Sequence, residues 1–171
     1  VALAEKRPDL ISHLVVSQAP SWEEMLKWKL RRDPKGLLGR PVVGQILLQF
    51  LKRKRAPIWF QKALGDESLV RKFNDLSQEA FARGATFNLA SAFQKFLVGS
   101  NPMSGKMLQP TLIIWGDSDQ SHCETCKHSS LELSEFANVV HIPEAGHFPE
   151  LEVPEVFVSH LSSFIRNTSR D

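Results

Sequence analysis

Thr111-Leu112-Ile113-Ile114-Trp115-Gly116-Asp117-Ser118-Asp119 is the stretch from which the fold is read. Its first five residues are a continuous run rich in β-formers, as expected of a strand buried on both faces of a parallel sheet. A glycine and two aspartates then end the run. Downstream, the pattern predicts a helix over Glu124 to Phe136 and a second short strand at Val139-Val140-His141-Ile142. A glycine turn follows, Glu144-Ala145-Gly146-His147-Phe148-Pro149, and then a last helix. That helix has Pro154 at an N1-like position, Glu155 in its first turn, and Val153, Phe157, Leu161, Phe164 and Ile165 along one face. Strand, helix, strand, helix with short connections is an α/β pattern.

Upstream, Val1 to Pro8 reads as the end of a helix stopped by proline, and Ile11 to Val16 as a buried strand. From Ser21 to about Gln109 apolar residues fall at helical spacing: Trp22, Met25, Leu26 and Leu30, then Ile46, Leu47, Phe50 and Leu51, then Phe73, Leu76, Ala80 and Phe81. Breaks are expected at Asp33-Pro34, Gly39-Arg40-Pro41, Ala56-Pro57 and Gly65-Asp66. The expected organisation is a core helix and strand over 1–20, a helical insertion over 21–109, and core strands and helices over 110–171.

At 171 residues, 42% hydrophobic and 23% charged, the chain is long enough to bury a substantial core, and its composition excludes disordered and fibrous classes. No run approaches the length of a membrane span, and no signal-peptide pattern opens the chain, so a soluble cytoplasmic protein is expected. Cys123 and Cys126 are too close together for a disulfide framework and fit a reducing compartment. Charge is unevenly placed. Residues 27–55 hold ten bases and one acid, net +9, while the rest holds eleven bases and eighteen acids, net −7. Such a block can attract anionic substrates, acidic partners or a membrane surface, or it can be a solvated helix face. No recognition motif accompanies it, which argues against nucleic acid.

In an open parallel sheet, ligands bind beyond the carboxyl ends of the strands. Asp119 and His147 each lie just past a strand end. A carboxylate that stays ionised and a histidine that titrates near neutrality are the acid and base of a hydrolytic triad, the carboxylate fixing the tautomer of the ring. The plainer alternatives are a capping aspartate and a hydrogen-bonded loop histidine. Asp117 is expected to form the turn. His13, His141 and His160 are expected to be structural or exposed.

Trp115-Gly116-Asp117-Ser118-Asp119, followed by Gly146-His147-Phe148-Pro149-Glu150-Leu151-Glu152-Val153-Pro154-Glu155, resembles the C-terminal signature of the α/β-hydrolase superfamily. Ala2-Leu3-Ala4-Glu5-Lys6-Arg7-Pro8-Asp9-Leu10-Ile11-Ser12-His13-Leu14-Val15-Val16 is similar to the helix and strand that follow the nucleophile elbow in that family. The resemblance implies the C-terminal part of an α/β-hydrolase sheet, with a helical cap inserted between two strands. It implies esterase-like or related hydrolysis of a small, largely apolar substrate. Asp119 would be the acid and His147 the base, and no cofactor is needed. The nucleophile would fall about six residues before Val1, since family members run in the order nucleophile, acid, base. No Gly-x-Ser-x-Gly occurs in the chain, and Ser100 lacks the strand-turn-helix setting. The chain alone is therefore expected not to hydrolyse anything. The alternative is a truncated, inactive hydrolase remnant acting as an interaction module. In either case a missing N-terminal half or a protein partner would cover an exposed sheet edge.

Two further groups of residues bear on function. His122-Cys123-Glu124-Thr125-Cys126-Lys127-His128 invites a zinc reading, but these ligands are too crowded for a tetrahedron at a helix start, so no metal is assigned. His122 alone is placed to line the pocket. Trp22, Trp28, Trp59, Phe60, Phe87, Phe93 and Phe96 are either core or the lining of an apolar site under the cap.

Overall fold

The computed structural model describes residues 1–95 and 105–168, apart from the side chains at 92, 93 and 95. Its elements in order are α1 (Ala2–Lys6), β1 (Leu14–Ser17), α2 (Trp22–Arg32), α3 (Val43–Ala63), α4 (Glu67–Ala82), α5 (Ala85–Lys95), β2 (Thr111–Gly116), β3 (Ala137–Ile142), α6 (Pro149–Glu152) and α7 (Pro154–Thr168). They cluster into two compact units. One holds the described residues of 1–21, 63–66 and 101–171, and the other those of 22–62 and 67–100.

The first unit is built on a parallel sheet ordered β1-β2-β3. Every residue of β2 is buried, as its apolar run predicts for a central strand. Leu112, Ile114, Ile142, Ala145 and Phe164 form the core, with Val15, Val140, Val153 and Phe157 packed against it. The expected amphipathic last helix is α7, which supplies Phe157 and Phe164 from one face. The register aligns Ser17 with Ile114 and Gly116 with Ile142, so β2 and β3 end together and β1 stops two residues short of them at the same edge.

Three boundaries differ from expectation. Strand β1 begins at Leu14 rather than Ile11, because pairing starts only where Pro110 O accepts the Leu14 N–H and Leu14 meets Thr111. Strand β3 begins earlier, at Ala137, because it pairs along the whole of β2. The helix expected over Glu124 to Phe136 is absent among the described residues, and two 3-10 segments, Gln120–His122 and Lys127–Leu133, stand there instead. Ser129 and Ser130 explain the tighter winding, since each hydroxyl donates to the carbonyl three residues back, Cys126 O and Lys127 O, in competition with an α-helical ladder.

The second unit contains α2, α4, α5 and all of α3 but its last residue. Leu48 and Ala90 centre its core, with Met25, Trp28, Leu38 and Leu89 around them. The break at Asp33-Pro34 has a clear cause. Asp33 is buried, and its carboxylate accepts from Leu37 N, Leu38 N and Gly39 N at 2.8, 2.8 and 3.2 Å, which folds the chain back after α2. The expected break at Ala56-Pro57 does not occur, because α3 runs through it. Pro57 has no N–H for the carbonyl of Arg53, four residues back, and the Gln78 side-chain amide on α4 donates to that oxygen instead, at 3.2 Å. Among the described residues no helix is long and apolar enough to cross a membrane.

Candidate active site

The carboxyl edge of the sheet carries the groups singled out from the sequence. Strand β2 stops at Gly116 because the chain crowds there. A Cβ on Gly116 would stand 2.0 Å from Gly146 O and 2.5 Å from Ala145 O. A Cβ on Gly146 would in turn stand 2.1 Å from Ala63 O and 2.5 Å from Gly65 N. Only glycine permits this stacking of backbones, and it sets the loop after β3 directly against the loop after β2.

Asp119 follows β2 by three residues and is 2% exposed. Its Oδ1 accepts the Ser121 N–H at 2.7 Å, capping the Gln120–His122 turn. Its Oδ2 lies 2.7 Å from His147 Nδ1. The capping and histidine-holding readings of Asp119 are therefore both realised, one on each oxygen. Burial pushes its carboxyl up, but the hydrogen bonds from His147 and Ser121 and the nearby imidazoles outweigh that, holding it below the usual carboxylate range. His147 keeps 22% of its side chain exposed, and its own N–H donates to Ala63 O at 2.6 Å.

Asp117 behaves differently. It is partly exposed, and its Oδ1 accepts from Lys127 Nζ at 2.8 Å and contacts His141 Nδ1 at 2.9 Å. Its backbone N–H donates to Ile142 O, extending the β2–β3 pairing one residue past Gly116. Of the other histidines, His13 packs edge-on against Phe164 with ring centroids 5.8 Å apart. His160 lines a cleft of about 410 Å³ with Phe136, Val140 and Phe164, at the start of β3 and away from Asp119.

No family model matches the chain, and no curated protein matches it. Solved structures do. A thermophilic esterase aligns with a TM-score of 0.63 at 19% identity, over 97% of this chain and 60% of that one. A membrane phospholipase A, described as a bacterial virulence factor, aligns at 0.62 and 20% identity, over 99% and 54%. The 2-hydroxy-6-oxo-6-phenylhexa-2,4-dienoate hydrolase from Rhodococcus sp. strain RHA1 aligns at 0.57 and 13%, over 96% and 58%. The chain has the α/β-hydrolase fold. It spans somewhat over half the length of these hydrolases. Identities at this level carry the fold, and the chemistry has to be argued from the site.

Within the α/β-hydrolase framework, two groups that the sequence does not single out, and one that it places only at the pocket wall, shape the site. Glu152, on α6, accepts from Gly146 N and Phe148 N on Oε1 at 3.1 and 3.0 Å, and from Gly65 N and Asp66 N on Oε2 at 2.6 and 3.3 Å. It thus clamps the residues on both sides of His147. Gln18, at φ 51° just after β1, is buried and donates from Nε2 to Gly146 O at 2.7 Å and Gly116 O at 3.3 Å. His122, expected only to line a pocket, is buried with its ring stacked on His147, centroids 5.2 Å apart and planes 7° apart. Glu152 leaves a trace in the sequence as an acid one helical turn past the histidine loop, and His122 as a histidine three residues after Asp119. Gln18, and the stacking of His122 on His147, depend on chain folding that no local pattern encodes.

The aromatic residues are mixed. Phe60 is buried between Trp59 and Phe73, with centroids at 5.1 and 5.8 Å, and Phe87 is 53% exposed. Trp22 and Trp28 are partly buried, and Arg32 lies 5.8 Å from the ring of Trp28. The side chain of Phe93, and Phe96 and Ser100 entirely, lie outside the described residues.

Proposed function

We propose that Asp119 and His147 are the acid and base of a hydrolytic triad whose nucleophile comes from chain preceding Val1. The observation that carries this is the 2.7 Å contact between Asp119 Oδ2 and His147 Nδ1, made by an almost fully buried carboxylate. With Nδ1 held, Nε2 takes the nucleophile's proton as attack begins and returns it to the leaving group, while Asp119 stabilises the imidazolium. The helical segment over 21–109 would act as the cap that selects a small, largely apolar ester-like substrate and excludes water. Cysteines exposed at positions 123 and 126 suit a reducing, cytoplasmic setting.

The test uses the native protein, with its mass and N-terminal sequence determined and its hydrolysis of a series of p-nitrophenyl esters measured. The expected protein exceeds 19.3 kDa and carries a nucleophile elbow before Val1. Asp119→Asn should lower kcat by about 10³- to 10⁴-fold, and His147→Gln by at least as much. Ester hydrolysis at the wild-type rate in His147→Gln refutes the assignment. A native species of 19.3 kDa without ester hydrolysis favours the inactive interaction module.

A further inference from the structure

The same edge of the sheet brings together a third potential ligand. Asp119, His122 and His147 each offer a donor atom, and these atoms lie within 4.8 Å of one another. We propose that the three form a binding site for a transition-metal dication of borderline softness, with Zn²⁺ the best match. Two imidazoles and one carboxylate suit zinc and its neighbours and disfavour magnesium or calcium, which take oxygen donors. Three protein ligands with an open fourth position is the arrangement of reactive zinc centres.

The three donors are gathered, and the ion would have to turn them inward. Tetrahedral zinc with bonds of about 2.0–2.1 Å sets neighbouring donors about 3.4 Å apart. The donors already lie within 4.8 Å of one another, and binding requires one of the stacked rings of His122 and His147, whose planes are 7° apart, to turn so that the ion lies in the plane of both, with Asp119 Oδ2 moving off His147 Nδ1. The supporting shell is present as well. Metal-bound imidazoles are usually oriented by a hydrogen bond through their other nitrogen. His122 Nδ1 lies 3.1 Å from the hydroxyl of Thr125, which is itself buried, so Nε2 is the nitrogen that would ligate. An ionised carboxylate has about four lone-pair sites, so Asp119 can keep the Ser121 N–H and still give an oxygen to the ion. The buried negative charge of Asp119 is attractive to a dication where water screens poorly. The partly exposed ring of His147 leaves a way in.

In the sequence His122 stands beside Cys123, Cys126 and His128, four ligands too crowded for one tetrahedral ion. The fold separates these: His122 turns inward to Asp119 and His147, while both cysteines and His128 are exposed. The site does not depend on the hydrolase reading. Should that reading hold, a bound ion would take the groups that move the proton, so the metal-loaded and acid–base-competent states exclude each other.

The exposed cysteines are the rival ligands, so the experiment starts from a Cys123→Ser/Cys126→Ser variant. Zn²⁺ binding is followed by calorimetry, and Co²⁺ binding by visible absorption, with folding checked by circular dichroism. One equivalent of Zn²⁺ is expected, with a tetrahedral Co²⁺ spectrum. His122→Phe should weaken Zn²⁺ binding by more than about 100-fold, and Thr125→Val, which leaves every ligand in place, by about 10- to 100-fold. Loss of binding in the serine variant overturns the site, as does undiminished affinity in His122→Phe. If His122→Phe fails to fold, Thr125→Val decides, and unchanged affinity there overturns the site.

Discussion

Glu152 shows how much one side chain can set. Four backbone N–H groups from two loops converge on its carboxylate, two of them flanking His147. A charged acceptor serving several donors contributes more than neutral hydrogen bonds do, and removing it leaves those donors to be satisfied elsewhere. Glu152→Ala should lower stability by about 2 kcal/mol in urea unfolding and loosen the His147 ring, seen as broadened imidazole resonances. Glu152→Gln, which keeps one oxygen acceptor, should recover part of both. An unchanged unfolding midpoint in Glu152→Ala would show that the loops hold themselves.

At the scale of elements, the helices of the second unit are fixed by polar contacts as much as by apolar ones. Asp33 ends α2, and Gln78 of α4 answers the carbonyl that Pro57 leaves open in α3. The basic run has a different effect. Lys52 on α3 is partly buried, and burial together with the nearby Arg32 and Arg55 holds its ammonium below the usual lysine range. The charged form is therefore disfavoured in the folded state, which is not the behaviour of a freely solvated face. Lys52→Met should raise Tm by about 1–3 °C, with a smaller gain at high salt where the repulsion is already screened. A fall in Tm would mean that the ammonium is stabilising after all.

For the molecule as a whole, acid sensitivity follows from the buried pair. The carboxyl of Asp119 sits below its ordinary value when folded, so near that value the unfolded chain binds more protons. Its contribution is fully present above the unfolded pKa of about 3.9 and is lost as pH falls through the lower folded value. Asp117, held down by Lys127 and His141 against the upward push of its own burial, adds in the same direction. Urea midpoints of wild type and Asp119→Asn should therefore differ at pH 7 and converge below about pH 4. A gap of equal size at both pH values would mean that the pair does not couple to folding.

The sequence by itself determined the α/β class, the central strand at Thr111–Gly116, the last helix and the two residues Asp119 and His147, because these depend on local periodicity and short motifs. Burial on both faces demands an unbroken apolar run, and a glycine turn past a strand end has few ways to be written. What the tertiary structure alone decided lies between segments distant in sequence. The passage of α3 through Pro57 depends on a donor from another helix, and the 3-10 winding after Asp119 on serine hydroxyls that compete with the backbone. The clamp of Glu152, the staple of Gln18 and the stacking of His122 on His147 join residues that no periodicity links. Such contacts are fixed only when β2 and β3 pair in register and the glycines at 116 and 146 let their loops touch.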